Sequence, residues 1–252
     1  PEDVLREAKR RCSRLRGGLI GGMLPALALV AAAVLQELEK LPSAWLDEAL
    51  LRCAVLGGGL LLTALACMPV WKQAVLLLRE GKAGCELCAA VAVLTQLICC
   101  VCGVVTGSTR ATPYAAAGAL LILACQWGLY LEASALRNAY HLLVLNGTVP
   151  YVASVTAAGV CRQQGTAEGF YRLCSKPDPA RRWQNYALPL VLATAAVLSG
   201  VVCFSGGNMS DFPWVLTALT TAGAGLGIPL SGALPMYYLS LSLIHISEPT
   251  RP

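Results

Sequence analysis

The chain has 252 residues, of which 56% are apolar and 13% are charged, and it carries a formal charge of +5 at neutral pH. Soluble domains have about 25% charged residues, so this composition excludes an ordinary water-soluble enzyme and predicts an integral membrane protein. The positive charge does not indicate nucleic-acid binding, because the basic residues stand in short clusters between long apolar runs. That pattern is typical of membrane edges.

Six apolar runs have about the 20 residues that a helix needs to cross a bilayer. Main-chain amides inside lipid must be satisfied within their own segment, so each run is expected to be helical. The predicted fold class is therefore an all-α bundle of about six transmembrane helices in three hairpins. The predicted spans are 17–35, 53–71, 87–105, 113–131, 187–204 and 213–234.

These spans divide the chain into consecutive segments. We expect a basic N-terminal arm (1–16), a first hairpin (17–71), an amphipathic platform (72–86), a second hairpin (87–131), a polar loop (132–186) and a third hairpin (187–241). The tail 242–252, SLIHISEPTRP, departs abruptly from the apolar pattern and resembles translated vector sequence. Together with a first residue that is Pro1 and not Met, this tail predicts a fragment of a longer protein.

The distribution of Lys and Arg predicts the orientation. Fifteen bases fall in the arm, the platform and the 132–186 loop, whereas three fall in the alternate connections. Basic loops remain on the cytoplasmic side, so we expect a multi-pass protein of the plasma membrane with a cytoplasmic N-terminus and the lipid bilayer as its partner. In the platform, apolar residues alternate with Lys72, Arg79 and Lys82, as in a helix lying on a membrane surface. The start of the polar loop is expected to continue the fourth helix, and 151–155 is a β-prone run.

Cysteine, threonine and glutamine side chains are the candidate metal ligands and hydrogen-bonding groups in and beside the predicted spans. Cys85-x-x-Cys88 has the spacing of a metal clip, but a zinc site needs further ligands, so close packing is the competing interpretation. The same two interpretations apply to the cluster at 99–102. Thr95, Gln96 and Gln126 are polar residues at membrane depth, where a hydrogen bond between the two glutamines across the hairpin is the expected structural role.

The sixth span, TTAGAGLGIPLSGALP, contains repeated helix-breaking residues. Broken helices at membrane depth are tolerated where they face protein or a water-filled cavity, and transporters use them to bind substrate. Pro229, Ser231 and Pro235 are therefore candidate residues of a transport path; the competing interpretation is a kinked, tightly packed helix. Gly17-x-x-x-Gly21 and Gly18-x-x-x-Gly22 predict close helix packing in the first span.

Two segments together resemble the membrane region of heavy-metal-transporting P-type ATPases. The first is PVWKQAVLLLREGKAGCELCAAVA (69–92), with a proline at the end of the second helix, an amphipathic platform and the acidic Glu86 opening the third helix. The second is GLYLEASALRNAYHLLVL (128–145), similar to the helix exit of that family. The order of hairpin, platform, hairpin, loop and hairpin also fits. The resemblance implies ATP-driven transport of a metal cation by the complete protein.

The chain departs from that family at three places. The 132–186 loop has no Thr-Gly-Glu sequence, and Ile228-Pro229-Leu230-Ser231 stands where the family has Cys-Pro-Cys. The phosphorylated Asp would follow Leu241. No P-loop, HExxH or other catalytic motif occurs, so no catalytic residue or cofactor is assigned within these residues. The resemblance therefore implies a degenerate or truncated relative; a permease-like or structural membrane protein is the alternative.

Overall fold

The computed structural model describes residues 2–40, 49–106, 114–145, 151–156, 159–164, 179–206 and 209–226. Helices dominate this part of the chain. They are α1 (Glu2–Glu37), α2 (Ala49–Ala66), α3 (Met68–Arg79), α4 (Cys85–Thr106), α5 (Ala115–Leu145), α6 (Pro179–Ser205) and α7 (Phe212–Leu226). Strands β1 (Tyr151–Thr156) and β2 (Gly159–Gln164) form an antiparallel pair in which Thr156 faces Gly159.

The described helices have the length and composition of membrane spans. Four of them are long and apolar enough to cross a bilayer, or five if the bent pair α2 and α3 counts as one span. The apolar α7 is shorter within the described residues. The predicted arrangement of six spans in three hairpins is therefore confirmed only in part.

The second predicted span, 53–71, is not one straight helix. α2 ends at Ala66, α3 begins at Met68, and the two helices differ in direction by 72°. Pro69 lies in the first turn of α3, where its missing N–H removes no helical hydrogen bond. Because the proline starts the next helix, the platform begins at Met68 and not at Lys72.

The predicted arm 1–16 and the first span form a single helix of 36 residues, α1, with a length of about 54 Å at 1.5 Å per residue. Within the arm, an apolar stripe recurs every three or four residues and is buried: Leu5, Ala8, Cys12 and Leu15. α1 packs most extensively against α5, whose Leu129 and Ala133 belong to the same buried core. The arm is therefore one half of a helix pair.

The second hairpin is close to its prediction. α4 extends the predicted 87–105 by two residues at its start and by one at its end. α5 runs from Ala115 to Leu145 and so continues the fourth span into the polar loop, as expected. β1 then covers the β-prone run, which adds a small hairpin to an otherwise helical fold.

Two of the four glycines singled out in the first span pack closely. A Cβ on Gly18 would lie 2.6 Å from the carbonyl oxygen of Ala66, and one on Gly22 would lie 3.0 Å from Leu123. A Cβ on Gly17 would meet nothing within 4 Å, and one on Gly21 would only touch Ala66 at 3.9 Å. The Gly18 and Gly22 face is thus the packed one.

Candidate functional site

The break between α2 and α3 brings three helices together. The carbonyl of Ala66, the last residue of α2, faces Gly18 of α1, and the next residue, Cys67, lies beside Gly22. From the third helix, α5, the Gln126 side chain donates from Nε2 to the carbonyl oxygen of Leu15 at 3.0 Å. A side chain at Gly18 would separate these contacts, so the glycine is what lets the helices meet at the break.

Glu86 lies in the first turn of α4 and is buried, with 5% of its surface exposed. Its Oε2 atom is enclosed by protein and covers Gly84, where an added Cβ would lie 2.5 Å away. The same Cβ would lie 2.8 Å from Leu77 of the platform helix. The short connection between α3 and α4 therefore folds over the carboxylate and keeps it from water.

Four buried thiols accompany this carboxylate. Cys67 lies at the helix break, Cys85 and Cys88 in the first turn of α4, and Cys125 on α5. Glu86 and the three other thiols all lie within electrostatic range of Cys125. We refer to these five residues as the Glu86 cluster. It is the one place in the described chain where sulfur ligands and a buried carboxylate occur together.

The described residues contain no group of three or more His, Cys, Asp or Glu side chains arranged to hold a metal ion. Cys85 and Cys88, the weak metal candidates of the sequence, are both buried and belong to the packed core. Their thiols therefore have a packing role in this conformation. A resident metal centre is not what the geometry offers.

A second polar region, the α4–α7 seam, lies between two antiparallel helices. Its members are Thr95, Gln96 and Cys99 on α4 and Thr217, Thr220 and Thr221 on α7. Gln96 Nε2 donates to Thr221 Oγ1 at 2.8 Å, and the hydroxyls of Thr95 and Thr220 are 3.2 Å apart. The Cys99 thiol lies 2.8 Å from the Thr217 hydroxyl. All six side chains are neutral, so the seam can join helices or hydrogen-bond a polar solute but cannot balance a charge.

The two glutamines do not pair with each other as expected. Gln96 bonds to α7 and Gln126 bonds to α1, while Oε1 of each is buried and accepts no hydrogen bond. The two residues are displaced along the hairpin, so each reaches a third helix. Each glutamine does form an interhelical hydrogen bond, as predicted, but the predicted bond between the two glutamines is wrong.

The proposed transport-path residues Pro229, Ser231 and Pro235 lie outside the described residues, as do Gly227 and the tail 242–252. α7 is described up to Leu226 and is uninterrupted to that point, including Gly223 and Gly225. Gly223 packs tightly against α6, since an added Cβ would lie 2.5 Å from Val191. This glycine serves helix packing.

Sequence reasoning missed the threonines of α7, because a hydroxyl on an apolar helix gives no sign of which neighbour it will face. It noted Glu86 only through the family resemblance, although a carboxylate directly before a predicted span is itself a signal. Comparison of the chain with protein-family models, curated proteins and solved structures found no match.

Proposed function

We propose that this chain is the membrane part of a cation transporter similar to the heavy-metal P-type ATPases, in a degenerate or truncated form. The observation that carries the proposal is the buried Glu86 in the first turn of α4, which follows the platform helix α3 and the 72° break that precedes it. The resemblance drawn from the sequence expects a proline at the end of the second helix, then a platform, then an acidic residue. Pro69, the platform helix α3 and Glu86 follow one another along the chain, with Pro69 in the first turn of the platform and not in the last turn of α2.

A buried carboxylate at the edge of a membrane is costly, since an ionised group loses its hydration there. Such groups mark ion pathways when they face other polar groups. The thiols of the Glu86 cluster are packed in the core in the described conformation and are not arranged to hold a metal ion, but thiols are ligands that Cu(I) and Zn²⁺ prefer, so they would contact a cation only while it passes. A cation that passes the Glu86 cluster would neutralise the carboxylate for part of its route, and this is the role we assign to Glu86.

The proposal includes an orientation. The arm, the platform and the 132–186 loop are assigned to the cytoplasm, and the Glu86 cluster then lies at the cytoplasmic entrance of the bundle. The path would continue through the sixth span at Pro229, Ser231 and Pro235. The plasma membrane is the proposed location.

The test uses the complete protein encoded by the native gene. Sequencing beyond the codon for Leu241 should reveal an Asp-Lys-Thr-Gly-Thr phosphorylation motif. ATP-dependent uptake of Cu(I) and of Zn²⁺ into inside-out vesicles is then compared for the unchanged protein, Glu86→Gln and Glu80→Gln. Glu80 is exposed and pairs with Lys82 at 2.7 Å, so it matches the charge change without the burial.

We expect Glu86→Gln to lower the uptake rate at least about tenfold, corresponding to about 1.4 kcal/mol, and Glu80→Gln to leave it near the original value. Equal uptake by all three proteins would remove Glu86 from the path. A continuation of the gene without the motif, together with no ATP-dependent uptake, would refute the ATPase assignment.

The alternative is a permease-like or structural membrane bundle that uses no ATP. The α4–α7 seam favours it, because its six neutral side chains interact in pairs and hold two helices together. Such a structural role requires no ATP. On this alternative, Glu86→Gln changes thermal stability and leaves ATP-dependent flux absent in every variant. The transport measurement above separates the two.

A further inference from the structure

The exposed face of α3 has an unusual composition for a helix beside a membrane bundle. Lys72 and Arg79 are exposed and seven residues apart, so they project from nearly the same side, about 10.5 Å from each other along the axis. Exposed apolar side chains flank them: Met68, Val75, Leu76 and Leu78. The opposite side, with Val70 and Ala74, is buried against the bundle.

The position of α3 relative to the apolar run of α1 indicates the depth of α3 in the bilayer. α2 ends where Ala66 meets Gly18, and Gly18 is the second residue of the apolar run that begins at Gly17. α3 starts two residues after Ala66 and turns by 72°. A helix that leaves a membrane span at this level and at this angle lies along the bilayer surface, with its exposed leucines at the lipid boundary.

The charges at this level are not neutralised within the described chain. Within the described residues, Asp3 pairs with Arg6 and Glu80 pairs with Lys82. Lys82 is therefore satisfied by its own loop, whereas no described acidic side chain pairs with Lys72 or Arg79. Long basic side chains flanked by apolar groups extend towards headgroups while their stems stay on apolar surface.

We propose that the exposed face of α3 is a binding surface for anionic phospholipid, with Lys72 and Arg79 contacting the headgroup phosphates and the flanking Met, Val and Leu side chains contacting the upper acyl chains. This inference is independent of the proposed transport function. An acidic protein could also meet two bases, but it would leave four exposed apolar side chains without partners. A lipid satisfies both sets of groups.

The arm provides a charge-matched control. Lys9 and Arg10 are also exposed and basic, but they lie seven or more residues before the apolar run of α1. At 1.5 Å per residue this places them about 10 Å or more beyond the membrane edge, where salt screens the attraction to headgroups. Two double variants thus remove equal charge at two distances from the lipid. One carries Lys72→Gln and Arg79→Gln, and the other carries Lys9→Gln and Arg10→Gln.

The measurement uses Trp71, which precedes Lys72 and is partly buried against the core. The chain is reconstituted in phosphatidylcholine vesicles that contain a minor fraction of either brominated phosphatidylglycerol or brominated phosphatidylcholine. Bromine quenches nearby tryptophan emission, and subtraction of the signal of a Trp71→Phe variant isolates Trp71. A second measurement does not need the Trp71→Phe variant. Native mass spectrometry gives the amount of each lipid that remains bound to the unsubstituted chain and to the two double variants.

We expect the anionic lipid to quench Trp71 more effectively than the zwitterionic lipid, and to be retained preferentially by the chain. Each base near a membrane surface contributes about a fivefold preference. The Lys72→Gln, Arg79→Gln pair should therefore abolish the preference, whereas the arm pair and the charge-retaining Lys72→Arg, Arg79→Lys pair should keep it.

Two results would overturn the assignment. Equal quenching and equal retention of the two lipids by the unchanged protein would leave an acidic protein as the better partner for these bases. An equal loss of preference in the arm pair would mean that overall charge, and not the α3 surface, attracts the lipid.

Discussion

The carboxamide of Gln96 occupies the space that a side chain at Gly118 would need. Gln96 lies on α4 and is fully buried, and a Cβ on Gly118 of α5 would collide with its Oε1 atom. The Nε2 atom of the same group donates to Thr221 on α7. One amide group therefore sets the spacing of three helices.

Gly118→Ala should destabilise the bundle. The added methyl group forces the Gln96 carboxamide to move, and overpacking of this kind costs about 1–3 kcal/mol. Thermal unfolding in detergent measures the change. Gly58→Ala is the control, since a Cβ at Gly58 meets nothing within 4 Å. If Gly118→Ala and Gly58→Ala unfold at the same temperature, the contact with Gln96 does not restrict the packing.

Gln96→Leu and Thr221→Val should show energetic coupling in a double-mutant cycle. Each single change removes their 2.8 Å hydrogen bond, so the second change costs less once the first is made. Hydrogen bonds between membrane helices contribute about 0.6 kcal/mol and at most about 1.7 kcal/mol. The cycle is measured by denaturant titration of the reconstituted chain. Strictly additive effects would contradict the bond between α4 and α7.

Gly18→Ala and Gly17→Ala should differ sharply although the residues are adjacent. A Cβ on Gly18 would lie 2.6 Å from the Ala66 carbonyl and 2.8 Å from Gln126 Nε2, whereas one on Gly17 meets nothing within 4 Å. We expect a loss of about 1–3 kcal/mol for Gly18→Ala only. Thermal unfolding of the two variants side by side gives the comparison. Helix propensity favours Ala over Gly at both positions, so a similar change of stability in both would show that the contact with Ala66 does not restrict residue 18.

Membrane-impermeant thiol reagents test the proposed orientation. Cys12, a natural choice in the arm, is 4% exposed and should react slowly from either side, and Cys174 lies outside the described residues. Arg14→Cys and Lys40→Cys, both at exposed positions, are better reporters in a cysteine-depleted chain. Arg14→Cys should be labelled only from the cytoplasmic side and Lys40→Cys only from outside. Labelling of both from the same side would exclude the proposed topology.

The second hairpin could be predicted closely because its spans are bounded by charged or turn-forming residues. The break at Cys67 could not, since Leu65, Ala66, Cys67 and Met68 continue the apolar pattern without a gap and Pro69 alone does not say whether it ends one helix or begins the next. The hydroxyl partner of Gln96 depends on which helices become neighbours, and the periodicity of a single span does not predict its neighbours. Cys85 and Cys88 matched a ligand spacing, yet sequence spacing does not supply the third ligand.

The pairing of α1 with α5 also constrains how the chain is made. The Leu15 carbonyl and the Gln126 side chain that bonds to it are 111 residues apart in sequence. A ribosome adds about 5–20 residues per second, so α1 waits roughly 6–20 seconds before α5 emerges. During that interval the stripe of Leu5, Ala8, Cys12 and Leu15 has no α5 to cover it. A nascent chain that ends before α5 therefore lacks the most extensive packing partner of its first helix.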